Sequence, residues 1–255
     1  MKPTRNDSIF TKELVITPSM CDTSATLGYA NTFALFQDIA SEHAEQIGVG
    51  TAAMAARGVF WLTVHTRVQF FQKPPMLQTV TAQTWPGFYK PKDRRCFRYY
   101  RLMQGERLLA QGKTEWAILS LLNGRLCPLS DTGFPEDFIF SEETVCPEPL
   151  LRFTDPFTEN DAVMQHIVRA SDTDFGGHMN NVAYVRTLLD SFSAKELAGL
   201  PVEELEIHFS TPSFEGEELT VCRTRCDEGW LLAAKKDGGK ASVLARLKCG
   251  EKETL

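Results

Sequence analysis

From Phe33 onward apolar residues recur at helical spacing, with Phe33, Phe36, Ala40, Ala44 and Ile47 on one stripe, and the run stops near Gly48 and Gly50. The spacing predicts a helix of about four turns. Behind it the pattern changes. VFWLTVHTRVQFF from Val59, TVTAQTWPGF from Thr79, RCFRYYRLM from Arg95 and RLLAQGKTEWAILSL from Arg107 are dominated by β-branched and aromatic residues, as strands are. The turns around Gly105 and Gly124 suit tight hairpins, so an antiparallel meander is the simplest arrangement.

The same order recurs. GYANTFALF starting at Gly28 aligns with GHMNNVAYV starting at Gly177, so that Gly28 matches Gly177, Asn31 matches Asn180 and Ala34 matches Ala183. Two amphipathic helices can agree by chance, but the run of strands behind each of them argues for an internal repeat. In the second copy a strand, AVMQHIVRA, precedes the turn DTDFGGHMNN. A helix from Asn180 to Ala198 is expected next, then strands near ELEIHFS, ELTVCRTRC, WLLAAKK and ASVLARLKC. Pro135, Pro147, Pro149 and Pro156, set among acids, mark a connection. The division expected is residues 1–135, a linker 136–160, and residues 161–255. The fold class expected is α+β, a long central helix wrapped by antiparallel sheet, built twice, with the two sheets pairing edge to edge.

A chain of 255 residues with 43% apolar content can form one large domain or two small ones. No stretch approaches the roughly 20 apolar residues of a membrane span, and MKPTRNDSIF lacks the apolar core of a signal peptide, so a cytoplasmic location is expected. The seven cysteines, Cys21, Cys96, Cys127, Cys146, Cys222, Cys226 and Cys249, are odd in number and form no CxxC pair. Free thiols are expected rather than a disulfide framework or a zinc site. A net charge of −6 argues against wholesale nucleic-acid binding. One segment departs from it: Lys90, Lys92, Arg94, Arg95, Arg98 and Arg101 stand against the single acid Asp93. The cluster suits either an acidic partner or a charge-protected strand edge.

DTDFGGHMNN, residues 172–181, delivers a carboxylate and an imidazole to the start of a helix. Free N–H groups and the positive end of the helix dipole suit a substrate that develops negative charge on oxygen. Asp174 and His178 are the candidate acid–base pair, the N–H groups from Met179 to Asn181 are candidate oxyanion donors, and the Asn181 side chain is a further donor. The competing structural roles are a helix cap for Asp172 or Asp174, a buried hydrogen-bonded histidine at His178, and local backbone pairing for Asn180 and Asn181. His43, His65, His166 and His208 have no companion motif and are read as core or surface residues. The first copy has Tyr29 at the His178 position, and Ser24 or Ala25 near that of Asp174, so it has lost the pair.

Together, ASEHAEQIGVG, RGVFWLTVHTRVQFFQKPP and TWPGF in the first copy, with VRASDTDFGGHMNNVAYV and LEIHFSTPSFEGEEL in the second, resemble the bacterial acyl-acyl carrier protein (ACP) thioesterases. These are double hotdog proteins related to the plant fatty-acyl-ACP thioesterases. The resemblance implies a tandem hotdog and hydrolysis of acyl-ACP to free fatty acid and carrier in fatty acid biosynthesis. It places the active site in the second half; the first, having lost the pair, would be the acyl-binding half, and as no metal, nucleotide or flavin motif is visible no cofactor is expected. The family's site is an Asp-x-Asn-x-His pattern plus a glutamate on the following strand. Here the pattern reads Asp174, Gly176 and His178, and Pro212 aligns with the glutamate, with Glu215 and Glu217 nearby. Asp174, His178 and Asn181 are the expected catalytic residues, and Phe36, Met54, Phe60 and Trp61 are candidates to line an acyl tunnel. The basic cluster would dock the carrier, and a homodimer is left open. A coenzyme A thioesterase and an acyl-binding protein with little turnover are the alternatives.

Overall fold

The structure, a computed structural model, describes residues 8–250; the outer ends of the two expected segments, 1–7 and 251–255, lie outside the described residues. Its first half runs β1 (Phe10–Val15), α1 (Tyr29–Ile47), α2 (Thr51–Ala56), β2 (Val59–Phe70), β3 (Thr79–Pro86), β4 (Arg95–Gln104) and β5 (Arg107–Ser120). The second runs β6 (Ala162–Ile167), α3 (Asn181–Leu189), α4 (Ala194–Ala198), β7 (Val202–Phe209), β8 (Glu218–Cys226), β9 (Gly229–Lys236) and β10 (Ala241–Cys249). All ten strands join one sheet in the order β1-β3-β4-β5-β2-β7-β10-β9-β8-β6, with every neighbouring pair antiparallel. Read outward from the β2–β7 seam, the two sides have the same connectivity, which is the repeat expressed as topology.

Strand alternation sorts side chains to two faces. Val68, Tyr100, Leu102, Leu205, Ile207, Ala245 and Leu247 form one buried cluster with Phe36 and Ile39 of α1 and with Val185 and Leu188 of α3, so a single core runs beneath both helices. Gly48 ends α1 in the left-handed region at φ 89°, its N–H bonded to Ala44 O, a conformation that suits a residue without Cβ. Gly112 on β5 is required by packing: a Cβ there would lie 2.8 Å from Arg67 O and 3.5 Å from the Phe36 ring.

Two elements depart from the sequence expectation. The helix expected over 180–198 breaks after Asp190, because Ser193 and Glu196 form a capping box that starts the separate α4. Strand β1 leaves no signal in the sequence, since it is an edge strand that exposes most of its residues and therefore carries little apolar alternation.

The connection between the halves crosses the sheet face opposite the helices. Trp85 Nε1 donates to Glu143 O (2.7 Å), Lys113 Nζ to the carbonyls of Cys146 and Glu148, and Arg67 Nη1 and Nη2 to Glu148 O and Pro149 O (3.1 and 2.8 Å). Phe153 and Phe157 then pack on Cys222, Ala233 and Leu244 of the second half. At the seam Arg67 faces Glu206 across β2 and β7. Arg67 Nε lies 2.6 Å from Glu206 Oε2, His65 Nε2 lies 2.8 Å from Oε1, and Leu151 N–H donates to Oε1 (2.6 Å). Burial pushes the Glu206 carboxyl up, but bonds from His65, the Leu151 N–H and Arg67 outweigh it and hold the group below its ordinary range.

Removing one partner of such a pair strands the other in the interior. Arg67→Ala is expected to cost about 3–5 kcal/mol of unfolding free energy in a urea titration. Because the folded pKa of Glu206 is depressed, its contribution is present above the unfolded value of 4.5 and is lost as pH falls through the lower folded value. Glu206→Gln should therefore remove part of the acid dependence of the urea midpoint below that pH.

Candidate active site

The site forms where the two copies stop being alike. In the first, Tyr29 is already the first residue of α1, whereas in the second the matching His178 lies three residues before α3 begins at Asn181. The first helical turn has been given up, and Gly177-His178-Met179 form the approach to the helix. Asn180 caps α3, its Oδ1 accepting from Ala183 N (2.8 Å) and its Nδ2 donating to Asp172 O (2.9 Å). Asn31 makes the related bond to Met20 O (2.9 Å) in the first copy, so this asparagine is structural in both.

Asp174 Oδ1 accepts the Gly176 N–H (2.8 Å), and Asp174 N–H donates to His178 O (3.1 Å), which closes a small loop. The two expected catalytic side chains converge on one point: a methyl group on Gly176 would sit 3.0 Å from Asp174 Oδ1 and 3.1 Å from His178 Nε2. Phe175, beside them, is 89% exposed, so the pair stands at the protein surface.

Of the N–H groups expected as oxyanion donors, Met179 is committed to Ser213 O and Asn180 to Asp172 O, each at 2.8 Å. This corrects the expectation and leaves Asn181 and Val182, the first turn of α3, as the available pair. Asn181 turns inward. Its Nδ2 donates to Thr63 Oγ1 (2.9 Å) on β2 and to Gln37 Oε1 (3.4 Å) on α1, so its amide donors are held by the first half of the chain. Glu217 faces Lys236 (2.7 Å) and Pro212 is exposed.

Beside Asn181, between α1, α3 and the inner face of β2, β4 and β5, lies a narrow cavity of ≈ 20 Å³. Phe36 lines it, as expected of a tunnel residue; Met54, Phe60 and Trp61 do not. Met54 and Trp61 pack instead with Val49, Tyr89 and Leu129, and Trp61 Nε1 donates to Val49 O (2.9 Å).

The basic segment divides between the loop before β4 and the inner face of that strand. Lys90, Lys92, Arg94 and Arg95 are exposed or partly so. Arg98 is not a surface residue: it is buried on the inner face of β4, with Nη1 donating to His43 Nδ1 (3.1 Å) and Thr84 Oγ1 (3.3 Å), and burial lowers its pKa. Arg101 pairs with Glu143 (2.6 Å) and stacks on Trp85. The remaining histidines are engaged as well: His166 pairs with Asp172 (3.0 Å), and His65 and His208 lie 5.2 Å apart across the seam.

Two family models match the chain in order, the acyl-ACP thioesterase N-terminal domain over residues 7–132 and the C-terminal domain over residues 157–253. The chain is 21% identical over 196 residues to an oleoyl-acyl carrier protein thioesterase of Coriandrum sativum, covering 69% of this chain and 51% of the relative. It is 25% identical over 177 residues to oleoyl-acyl carrier protein thioesterase 1 of Arabidopsis thaliana, covering 62% and 47%. The chain thus spans about half the length of the plant relatives it matches. Among solved structures, an acyl-ACP thioesterase from Bacteroides thetaiotaomicron superposes with a TM-score of 0.86 at 19% identity, over 97% of this chain and 100% of the other. The 12:0-ACP thioesterase of Umbellularia californica does so with a TM-score of 0.78 at 15% identity, over 96% and 98%. Both share this α+β fold.

If Asn180 is the cap and not a reacting group, Asn180→Ala should lower stability by about 1 kcal/mol in chemical denaturation.

Proposed function

The chain belongs to the acyl-ACP thioesterase family, and on that premise we propose that it hydrolyses thioesters of fatty acids on acyl carrier protein, releasing free fatty acid and carrier in fatty acid biosynthesis. We read each half as a hotdog unit, the first (residues 1–135) binding the acyl chain and the second (residues 161–255) carrying the chemistry, joined by the linker 136–160. The observation that carries the reading is the convergence of Asp174 Oδ1 and His178 Nε2 on one point beside the start of α3.

In the proposed reaction, Asp174 Oδ1 and His178 Nε2, both beside Gly176, accept the two hydrogens of the attacking water. His178 takes the proton as the water oxygen bonds to the thioester carbon. The oxyanion is met by the N–H groups of Asn181 and Val182 at the positive end of α3. When the carbon–sulfur bond breaks, the departing thiolate takes the proton back from His178. Asp174 stays ionised and stabilises the imidazolium between the two steps. Asn181, tied to Thr63 and Gln37, positions the start of α3 against the acyl-binding half.

The carrier is an acidic partner in this reading, and Lys90, Lys92, Arg94 and Arg95 are placed to meet it. Strand register supports this: Arg95 pairs with Ala117 on β5, and Ala117 with Leu62 on β2, next to Thr63 and hence to Asn181. The basic surface and the reacting groups thus share one end of the sheet.

Steady-state hydrolysis of acyl-ACP should fall at least about a hundredfold in His178→Ala and in Asp174→Ala. Wild-type turnover no faster than that of the variants, with acyl binding retained, would make the protein a binder; turnover equal on matched coenzyme A esters would remove the carrier preference. Lys92→Glu with Arg94→Glu should raise KM for carrier-bound substrate, with the effect fading at high salt, and leave KM for a pantetheine thioester unaltered.

A further inference from the structure

Three buried hydroxyls meet next to the loop that carries Asp174 and His178. Ser213 and Ser242 have no contact with solvent, and their Oγ atoms lie 2.8 Å apart. The hydroxyl of Tyr184, a buried residue of α3, sits beside both. Ser213 belongs to the turn that follows β7, and its carbonyl accepts the N–H of Met179 (2.8 Å), the neighbour of His178 in the chain. Met179 bridges in turn to Thr173, and the His178 carbonyl accepts the Asp174 N–H (3.1 Å). The loop of the reacting pair, α3 and β10, which carries Ser242, are thereby brought together at these hydroxyls.

The first half builds the same backbone without them. After β7 the N–H groups of Ser210 and Thr211 both donate to Ser242 O (2.8 and 3.2 Å), as after β2 those of Phe71 and Gln72 both donate to Leu109 O (2.9 and 3.1 Å). Just before α3 the Met179 N–H donates to Ser213 O, as just before α1 the Leu27 N–H donates to Pro74 O (2.9 Å). Leu109 and Pro74, both buried, thus stand where Ser242 and Ser213 stand. Neither the strand exit nor the approach to the helix needs a hydroxyl. Taking a hydroxyl out of water is costly, and its hydrogen bond does little more than offset that cost. The backbone therefore gives no reason for two buried serines in the second half alone; what that half has beside them is the reacting pair.

We propose that Ser213, Ser242 and Tyr184 are positioning residues: the bonded serine pair, with the Tyr184 hydroxyl packed on it, holds the Ser213 carbonyl that grips Met179, and so keeps His178 at a fixed spacing from the first turn of α3. This rests on the thioesterase reading of the same site and adds to it three residues that touch no reacting atom. The serine pair fastens the turn after β7 to β10, the Met179 bond fastens the loop to that turn, and Tyr184 sets α3 against both. Without the hydroxyls Met179 keeps an acceptor, but one free to shift. A misplacement of about 1 Å can lower a rate about a hundredfold.

The test uses Tyr184→Phe and a double variant, Ser213→Ala with Ser242→Ala, which removes both bonded hydroxyls together and strands neither. On acyl-ACP, kcat should fall about tenfold or more in each, while KM and the urea midpoint move little. Placed in a His178→Ala background, the same changes should cost no further activity, because no imidazole is left to position. An unchanged kcat, or a loss by the same factor in the His178→Ala background, would overturn the proposal while leaving the thioesterase reading intact. If the wild type turns over no thioester, that reading fails and amide hydrogen exchange decides separately. Faster exchange of the Met179 N–H in the double variant supports the clamp, and exchange as slow as in the wild type refutes it.

Discussion

The arrangement depends on one buried ion pair. Arg67 and Glu206 face each other where β2 of the first half pairs with β7 of the second, and neither has appreciable contact with solvent. A charge in such a place must be matched, and each of these is: Glu206 by Arg67 and the Leu151 N–H, with His65 Nε2 2.8 Å from its Oε1, and Arg67 by Glu206 and two linker carbonyls. The pair ties three parts of the chain at one point. A slip of one residue between β2 and β7 would carry Arg67 to the apolar face and break every one of these bonds, so the seam has a single register.

The site inherits its geometry from that seam. Asn181 at the start of α3 reaches Thr63 on β2 and Gln37 on α1, contacts that exist only because the two sheets are joined edge to edge. The loop before α3 presents Asp174 and His178 because the second helix begins one turn later than the first. A duplicated unit has thereby been made asymmetric without a change of topology. The first copy uses the equivalent residues for a continuous helix, and the second uses them for a loop that holds a carboxylate and an imidazole around Gly176.

Charge is distributed by the same fold. Lys90, Lys92 and Arg94 lie exposed in the loop before β4 and Arg95, its first residue, on the outer face, whereas Arg98, three residues on, points to the inner face and is a buried cation beside Thr84 and His43. The two populations act at different ranges. Exposed charges act through solvent, screened by salt, whereas the buried guanidinium sets the local potential in a medium where little screens it.

Much was legible along the chain. The helix ending at Gly48, the strands beginning at Val59, Thr79, Arg95 and Arg107, and the repeat that aligns Gly28 with Gly177 follow from periodicity and local turn chemistry, which a short window of sequence contains. So does the placing of Asp174 and His178 in one short turn. The break at Ser193 is also local, a capping box hidden within a longer apolar run. The pairing of Arg67 with Glu206, the burial of Arg98, the commitment of the Met179 and Asn180 N–H groups, and the exclusion of Trp61 from the cavity were not legible. Each depends on which strand lies beside which and on which face a neighbour covers. Those are relations between residues far apart in the chain, and only the joined sheet, with its helices on one face and its linker on the other, decides them.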